Sequence, residues 1–236
     1  MFDRWLYKKK ALEALKGRWR IPVLLTLVTG LLVSCLMLPA LRGVTADVDT
    51  HTRYGNVHAS SISAVLTTVP TPLALVAIAA TGVLALANTT VYLRLSRTLG
   101  KADFNTFLGG LEHWRTGALG ALWFSLWTML WSLLFIIPGI VKALAYSQMF
   151  FVLAENPQIS ARKAMHISKI LTQGHKADLF VQAVSFFGWA LLCNLTCGVG
   201  YLWLIPYMQQ TFTYSYTALK NESLASGRLY PADFAA

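Results

Sequence analysis

Residues 117–154 read GALGALWFSLWTMLWSLLFIIPGIVKALAYSQMFFVLA, an apolar run of 38 residues whose one charge is Lys142. A helix rises about 1.5 Å per residue and a bilayer core is about 30 Å thick, so one span takes about 20 residues. The run is too long for one crossing and just long enough for two short ones. Pro138-Gly139 sits near its middle, where a helix breaks. Basic residues flank it at both ends, Arg115 before and Arg162 and Lys163 after, so the chain leaves and returns to the same compartment. The pattern predicts a tight helical hairpin, Gly117–Ile137 outward and Ile140–Ala154 back, the returning arm short enough to be re-entrant.

Toward the C-terminus, residues 155–177 form a basic connector. Asn156-Pro157 ends the hairpin, and Ser160–Leu171 reads as a cytoplasmic helix capped by Ser160. Arg162, Lys163 and Lys169 lie on its basic side, and Met165, Ile170 and Leu171 on its apolar one. Residues 178–219 are a second long apolar block, broken at Thr196–Gly200, and give a second hairpin, Leu179–Leu195 and Tyr201–Leu219. Residues 220–236 are a short polar tail. Trp131-x-Leu133-Leu134 before the first break and Trp189-x-Leu191-Leu192 before the second suggest a weak internal duplication, of a kind common in transporters.

Toward the N-terminus, residues 94–116 return to basic character through Arg94, Arg97, Lys101 and Arg115. Within them Phe104, Phe107, Leu108 and Leu111 mark a short amphipathic segment resting on the inner surface. Residues 65–93 contain a second span with Pro70 and Pro72 at its start; Gly82 and many alanines give it a small-residue face suited to close packing. Residues 42–64 form an extracytoplasmic loop, in which His51 and His58 read as solvated side chains rather than a metal or pH site. Residues 21–41 carry no charge and form the first span. Residues 1–20 mix Lys8, Lys9, Lys10 and other basic residues with Trp5, Leu12, Leu15 and Trp19 at helical spacing. That pattern predicts an interfacial helix on anionic lipid, with a solvated basic tail as the alternative. Leu32-Val33-Ser34-Cys35 matches a lipoprotein cleavage box, but Leu36-Met37-Leu38 prolongs the apolar run past it, so a span is expected instead of a cleaved signal.

Composition supports the same class. Apolar residues make up 56% of 236 and charged residues 13%, with a mean hydropathy of +0.52, whereas soluble domains carry about 25% charged residues. The net charge of +10 sits beside apolar runs, which fits lipid headgroups and inside orientation better than nucleic acid. The expected fold is thus an all-α polytopic membrane protein with about six transmembrane helices, two single spans and two hairpins, and both termini cytoplasmic.

Several motifs resemble those of a known family. Lys9, Ala11, Ala14-Leu15-Lys16-Gly17 and Trp19 open the resemblance. Leu133-Leu-Phe-Ile-Ile-Pro-Gly-Ile-Val-Lys142, Tyr146-Ser147 and Leu153-Ala-Glu-Asn-Pro157 continue it, followed by Ser168-Lys169, Gly174-His175-Lys176, Phe186-x-Gly188-Trp189 and Pro206-Tyr207. Together they are similar to the bacterial membrane family called domain of unknown function 975; residues 42–93 do not contribute. The resemblance implies a small multi-pass protein of the bacterial cytoplasmic membrane and carries over no activity, cofactor or catalytic residue.

Candidate functional residues follow from cost. An ionised side chain at mid-bilayer costs about 2.5–3.5 kcal/mol on insertion scales, so Lys142 is the sharpest candidate, either an anion or headgroup site or, as favoured here, a side chain snorkelling to the outer surface. Tyr146, Gln148, Asn194, Gln209 and Gln210 join it as a candidate polar membrane site, with interhelical hydrogen bonding as the plainer role. Lys8, Lys9, Lys10, Arg162, Lys163 and Lys169 form a candidate lipid-headgroup surface. No carboxylate lies at mid-span, which argues against a proton relay. Cys35, Cys193 and Cys197 lack a nearby His or carboxylate and read as packing residues, Cys193 and Cys197 sharing a helix face. His113, His166 and His175 fall outside the spans and no HExxH or GxSxG occurs, so an enzyme is not expected. Neither a cofactor nor a metal is expected. The leading expectation is a channel- or transporter-like protein for a small solute or lipid-like molecule. The rival is a scaffold or accessory subunit binding anionic phospholipid, a second copy of itself (a homo-oligomer) or a partner membrane protein.

Overall fold

A computed structural model describes the backbone of residues 2–53, 72–97, 104–134 and 136–234, and the side chains of 2–36, 74–97, 104–133 and 139–234. The described residues are helical with no strand. Helix α1 spans Arg4–Leu15 and starts at Asp3, whose carboxylate accepts from the amides of Trp5 at 3.0 Å and Leu6 at 3.1 Å. It ends before Gly17, which adopts a φ of +76° that only glycine reaches freely. Helix α2, Arg20–Arg53, then leaves at 99° to α1.

The apolar stripe expected on α1 divides in the structure: Leu15 packs against the protein, while Trp5 and Leu12 remain uncovered by it. Tyr7, Ala11, Ala14 and Leu15 are buried, while Trp5, Leu6 and Leu12 stay exposed. Small Ala11 and Ala14 let α1 lie close against α11, Tyr201–Ala225, so its buried face is chosen by a protein neighbour and not by amphipathicity alone. The helix of α2 also continues through Arg53, into the stretch expected as loop; between Pro39 and Pro70 no proline interrupts it. His58 and the rest of that loop lie outside the described residues.

Helix α3, Pro72–Arg97, is the hub: α2, α4, α5, α7 and α11 all pack on it. The small-residue face read from Gly82 is where α5, Trp114–Leu134, crosses. A Cβ on Gly82 would lie 2.2 Å from Ala121 Cβ and 2.5 Å from the Gly117 carbonyl oxygen, so only glycine permits the approach. Helix α4, Phe104–Glu112, does not merely rest on a surface; it folds back along α3, burying Phe107 with Leu25, Ala87 and Val91.

The first hairpin forms, but its tip is displaced from Pro138-Gly139. Helix α5 ends at Leu134 and α6, Ile136–Tyr146, starts two residues later, followed by α7, Met149–Glu155. Proline is tolerated in a first helical turn, where its missing N–H has no partner to lose, so Pro138 begins the returning arm instead of breaking it. Gly139 is pressed against Ser132, Lys142 against Trp131, Phe150 against Phe124 and Leu153 against Gly120. Partners move in opposite directions along the chain, as an antiparallel pair requires. The returning arm therefore runs Ile136–Glu155, longer than expected, with a break at Ser147-Gln148.

Helix α8, Ala161–Leu171, is capped as expected: the Ser160 hydroxyl accepts from the Lys163 amide at 3.3 Å. Its apolar face is sunk into the main core with Met149, Val152, Leu153 and Tyr216. The second block contains α9, Lys176–Val184, α10, Phe187–Leu195, and α11. The arm expected as Leu179–Leu195 is interrupted at Ser185-Phe186. Cys193 and Cys197 do not share a helix face, because α10 ends between them and Cys197 takes a φ of +51° in the turn. Both hairpins use one device, a glycine placed seven residues after a small residue it touches: Gly139 on Ser132 and Gly200 on Cys193. Trp131 and Trp189 do not correspond in that frame, since Trp131 precedes its small residue by one position and Trp189 by four.

Among the described residues, Ala74–Arg97 and Lys176–Leu195 are each long and apolar enough to cross a membrane, and Arg4–Leu15 with Arg20–Leu36 qualifies if that bent pair is taken together. The described residues are thus helical, with at least two helices suited to a membrane.

Candidate functional site

A cavity of about 400 Å³ lies between α2, α3, the α6–α7 break and α11. Thr26 and Thr29 face it from α2; Thr81, Asn88 and Thr89 from α3; Ser147 from the break; Gln209 from α11. Helical geometry places these sets. Thr26 and Thr29 are three apart, and Thr81, Asn88 and Thr89 are separated by seven and eight, so each set occupies one face. The cavity lies alongside the apolar stretch Ala74–Arg97, and among the described residues the side chains that line it are neutral. The Asn88 carbonyl oxygen is buried and has no partner, a costly state unless a ligand or water supplies one.

The break that delivers Ser147 is stabilised from a distance. Ending α6 at Tyr146 frees the Ala145 carbonyl, which accepts from the hydroxyls of Ser168 at 2.8 Å and Thr172 at 3.3 Å, at the far side of the core. The Gln148 amide N–H donates back to Ser168 at 3.2 Å. Gln148 is fully buried, and its Nε2 donates to the Ser147 hydroxyl oxygen at 3.0 Å.

Below the cavity the polarity changes. Phe151, which lines it, stacks on Tyr216 at a centroid distance of 5.3 Å. The Tyr216 hydroxyl donates to Glu155 at 2.6 Å. Glu155, with a side chain 5% exposed, is ion-paired to both Arg97 and Lys220, and Lys220 lies 4.6 Å over the Phe234 ring. An aromatic plug and a buried ion cluster thus separate the cavity from the ends of α3, α7 and α11. Nearby, His175 hydrogen-bonds Glu222 at 2.8 Å and Asp178 at 3.1 Å, Glu222 also pairs with Arg228, and Phe2 stacks on the His175 ring. Burial alone would lower the imidazole's affinity for a proton, but the hydrogen bonds and charges of the two carboxylates outweigh it and raise the pKa.

A second, apolar groove of about 490 Å³ opens between α1 and the α10–α11 turn, lined by Leu12, Trp19, Trp189, Cys193 and Trp203 among others. Lys8, one turn before Leu12 on α1, has its Nζ 4.4 Å over the Phe186 ring and lines a separate pocket with Phe2, Arg4 and Ser185.

The sequence-derived polar set is not a single site. Gln209 lines the cavity and Gln148 braces Ser147 at its edge. Tyr146 is buried in the main core. Gln210 is fully buried, facing Tyr214. Asn194 is exposed, its amide donating to the Ala190 carbonyl at 3.2 Å. Lys142 lies 4.3 Å over the Trp131 ring, and Lys169 and Lys176 are the charges it feels. Of the basic set, Lys9, Lys10 and Lys169 are exposed on their helices, Lys163 is partly covered, and Arg162 stacks 5.0 Å over Trp123.

Sequence reasoning missed Thr26, Thr29, Thr81, Asn88 and Thr89, whose signal was their spacing within apolar runs. It also missed Glu155, the one carboxylate between Glu112 and Asp178. Among the described residues, no three His, Cys, Asp or Glu side chains are placed to hold a metal ion. No curated protein and no solved structure matches the chain. Residues 119–223, from the first hairpin to the last turn of α11, match the family model described as Protein of unknown function (DUF975).

Proposed function

We propose that this is a six-span protein of the cytoplasmic membrane, both termini inside, that passes a small solute through the cavity between α2, α3, α7 and α11. The cavity carries the reading: about 400 Å³ of neutral hydrogen-bonding surface at the depth of an apolar helix. Hydroxyls and amides facing an open cleft between helices are what a membrane protein needs to replace a solute's hydration shell. The right-angle bend between α1 and α2 supports a surface helix running into a span. The hairpin Trp114–Glu155 supports two further crossings, and Lys176–Ala225 two more.

Flux into proteoliposomes tests it. Purified protein should speed entry of at least one small solute above empty liposomes. Ala85→Phe, which fills the cavity from α3, should abolish that flux while leaving helicity intact. If every solute class enters at the empty-liposome rate, the transport reading fails. For topology, Tyr230→Cys in a background without Cys35, Cys193 and Cys197 should react with an impermeant thiol reagent only in inside-out vesicles.

The apolar groove one helical turn from Lys8 supports a second reading, an accessory protein that holds anionic phospholipid. Native mass spectrometry would then find phosphatidylglycerol retained on the wild type and lost on Lys8→Ala.

A further inference from the structure

The direction in which the cavity's hydroxyls point narrows the solute class. A hydroxyl has one proton to donate and two lone pairs to accept with. In all five hydroxyls that line the cavity among the described residues, the proton is already spent on the residue's own helix. Thr26 donates to the Pro22 carbonyl at 2.9 Å, Thr29 to Leu25 at 2.6 Å, and Thr81 to Ile78 at 2.8 Å. Thr89 donates to Ala85 and Ser147 to Leu144, each at 2.8 Å. Such back-bonding is ordinary for Ser and Thr in helices, but here it has a consequence for the space between the helices. The hydroxyls can meet a guest only as acceptors. Against these, the side-chain N–H groups facing the cavity belong to the amides of Asn88 and Gln209.

Resting on the transport reading above, we propose that the cavity takes a small neutral solute that presents N–H or O–H donors to these oxygens, of the urea or glycerol kind. An anion would bring acceptors to acceptors in a weakly screened space. A cation would find neutral oxygens but no carboxylate among the lining residues. It would also lie above a cluster in which Arg97 and Lys220 outnumber Glu155. A neutral molecule with such donors satisfies the acceptors without leaving a charge uncompensated.

Stopped-flow light scattering on proteoliposomes, with urea, glycerol, methylammonium chloride and sodium acetate as probes, tests this. Urea or glycerol should enter faster than into empty liposomes, and methylammonium and acetate should not. Thr29→Val with Thr89→Val keeps the shape of the lining and removes two acceptors, and should slow the neutral solute about tenfold. Transport of methylammonium or acetate, with urea and glycerol unaffected, would overturn the solute class and leave the transport reading standing. No transport of any probe would remove both. A doubly substituted protein as fast as the wild type would show that the hydroxyl oxygens do not receive the solute.

Discussion

Glu155→Gln removes one charge from a place that water scarcely reaches. The carboxylate is 5% exposed and faces Lys220, 24% exposed, and Arg97, 54% exposed. Breaking a buried ion pair by deleting one partner costs about 3–5 kcal/mol, because the surviving charge stays buried. Arg97 can turn into solvent and recover most of its hydration, so its share is discounted. Lys220 cannot, since Phe234 lies over its ammonium and α11 holds its stem. Glutamine still accepts from the Tyr216 hydroxyl, so that hydrogen bond survives. The loss should therefore fall just below that range, about 2–3 kcal/mol. The assay is unfolding in mixed micelles, followed by far-ultraviolet circular dichroism against denaturant fraction. Adding Lys220→Met to Glu155→Gln removes the stranded charge and should return at least half of the loss. The reasoning is refuted if Glu155→Gln costs less than about 0.5 kcal/mol, the level of an exposed pair. It is equally refuted if Lys220→Met, added to Glu155→Gln, deepens the loss.

Gly82→Ala should cost about 1–3 kcal/mol by forcing α3 and α5 apart. Ala121→Gly should restore only part of this, because the contact of 2.5 Å with the Gly117 carbonyl remains; full restoration in the same unfolding assay would contradict the geometry. The His175 contact should be strongest between about pH 4.5 and 6.5, the unperturbed values of Glu222 and His175. A raised histidine pKa gives stability that is whole below 6.5 and lost as pH rises through the folded value. The lowered Glu222 pKa, held down by its hydrogen bond to His175, gives stability that is lost as pH falls through its own. Both carboxylates are about two-fifths exposed, so the loss toward pH 8 should be about 0.2–1 kcal/mol. It should appear as faster hydrogen exchange, corrected for intrinsic rate, in the first turn of α1 beside Phe2; a flat profile would remove the link. Lys142→Met should leave stability within about 0.5 kcal/mol and flux unchanged, the lost cation–π contact offsetting relief from Lys169 and Lys176. A drop in flux alone would restore Lys142 as a site residue.

What the residues disclosed and what they hid divides along physical lines. Local signals were legible: the length of the 117–154 run, the Ser160 cap, the close-packing face at Gly82, and breaks near 138 and 198. Each depends on neighbours within a few positions. The tip of the first hairpin was misplaced because Pro138 is equally at home ending a helix or opening one. The face of α1 that packs on the protein was not legible, because its buried residues are those that let α11 approach, and α11 lies about two hundred positions away. The cavity was hidden for the same reason. Its threonines look like ordinary packing residues in each run, and only the meeting of four helices turns them inward together.

The break at Ser147-Gln148 shows how these two levels connect. In a lipid solvent a freed carbonyl must find a donor within the protein, so a helix can be interrupted only where another element brings one. The donors to Ala145 are Ser168 and Thr172, from a connector that its Arg162, Lys163 and Lys169 mark as a surface helix. Its basic side does face outward, but its opposite face is wedged into the core with Ala164, Ile167 and Leu171 buried. The connector is therefore part of the cavity's architecture. Without the hydroxyl of Ser168, the shortest path to satisfying Ala145 would be to close the break into continuous helix. Closing it would rotate Ser147 and the α6 side of the break relative to Phe150 and Phe151, and so alter the cavity wall and the plug over Tyr216 together. A segment that reads as a lipid-facing basic helix thus holds the one irregular turn on which the polar cavity depends.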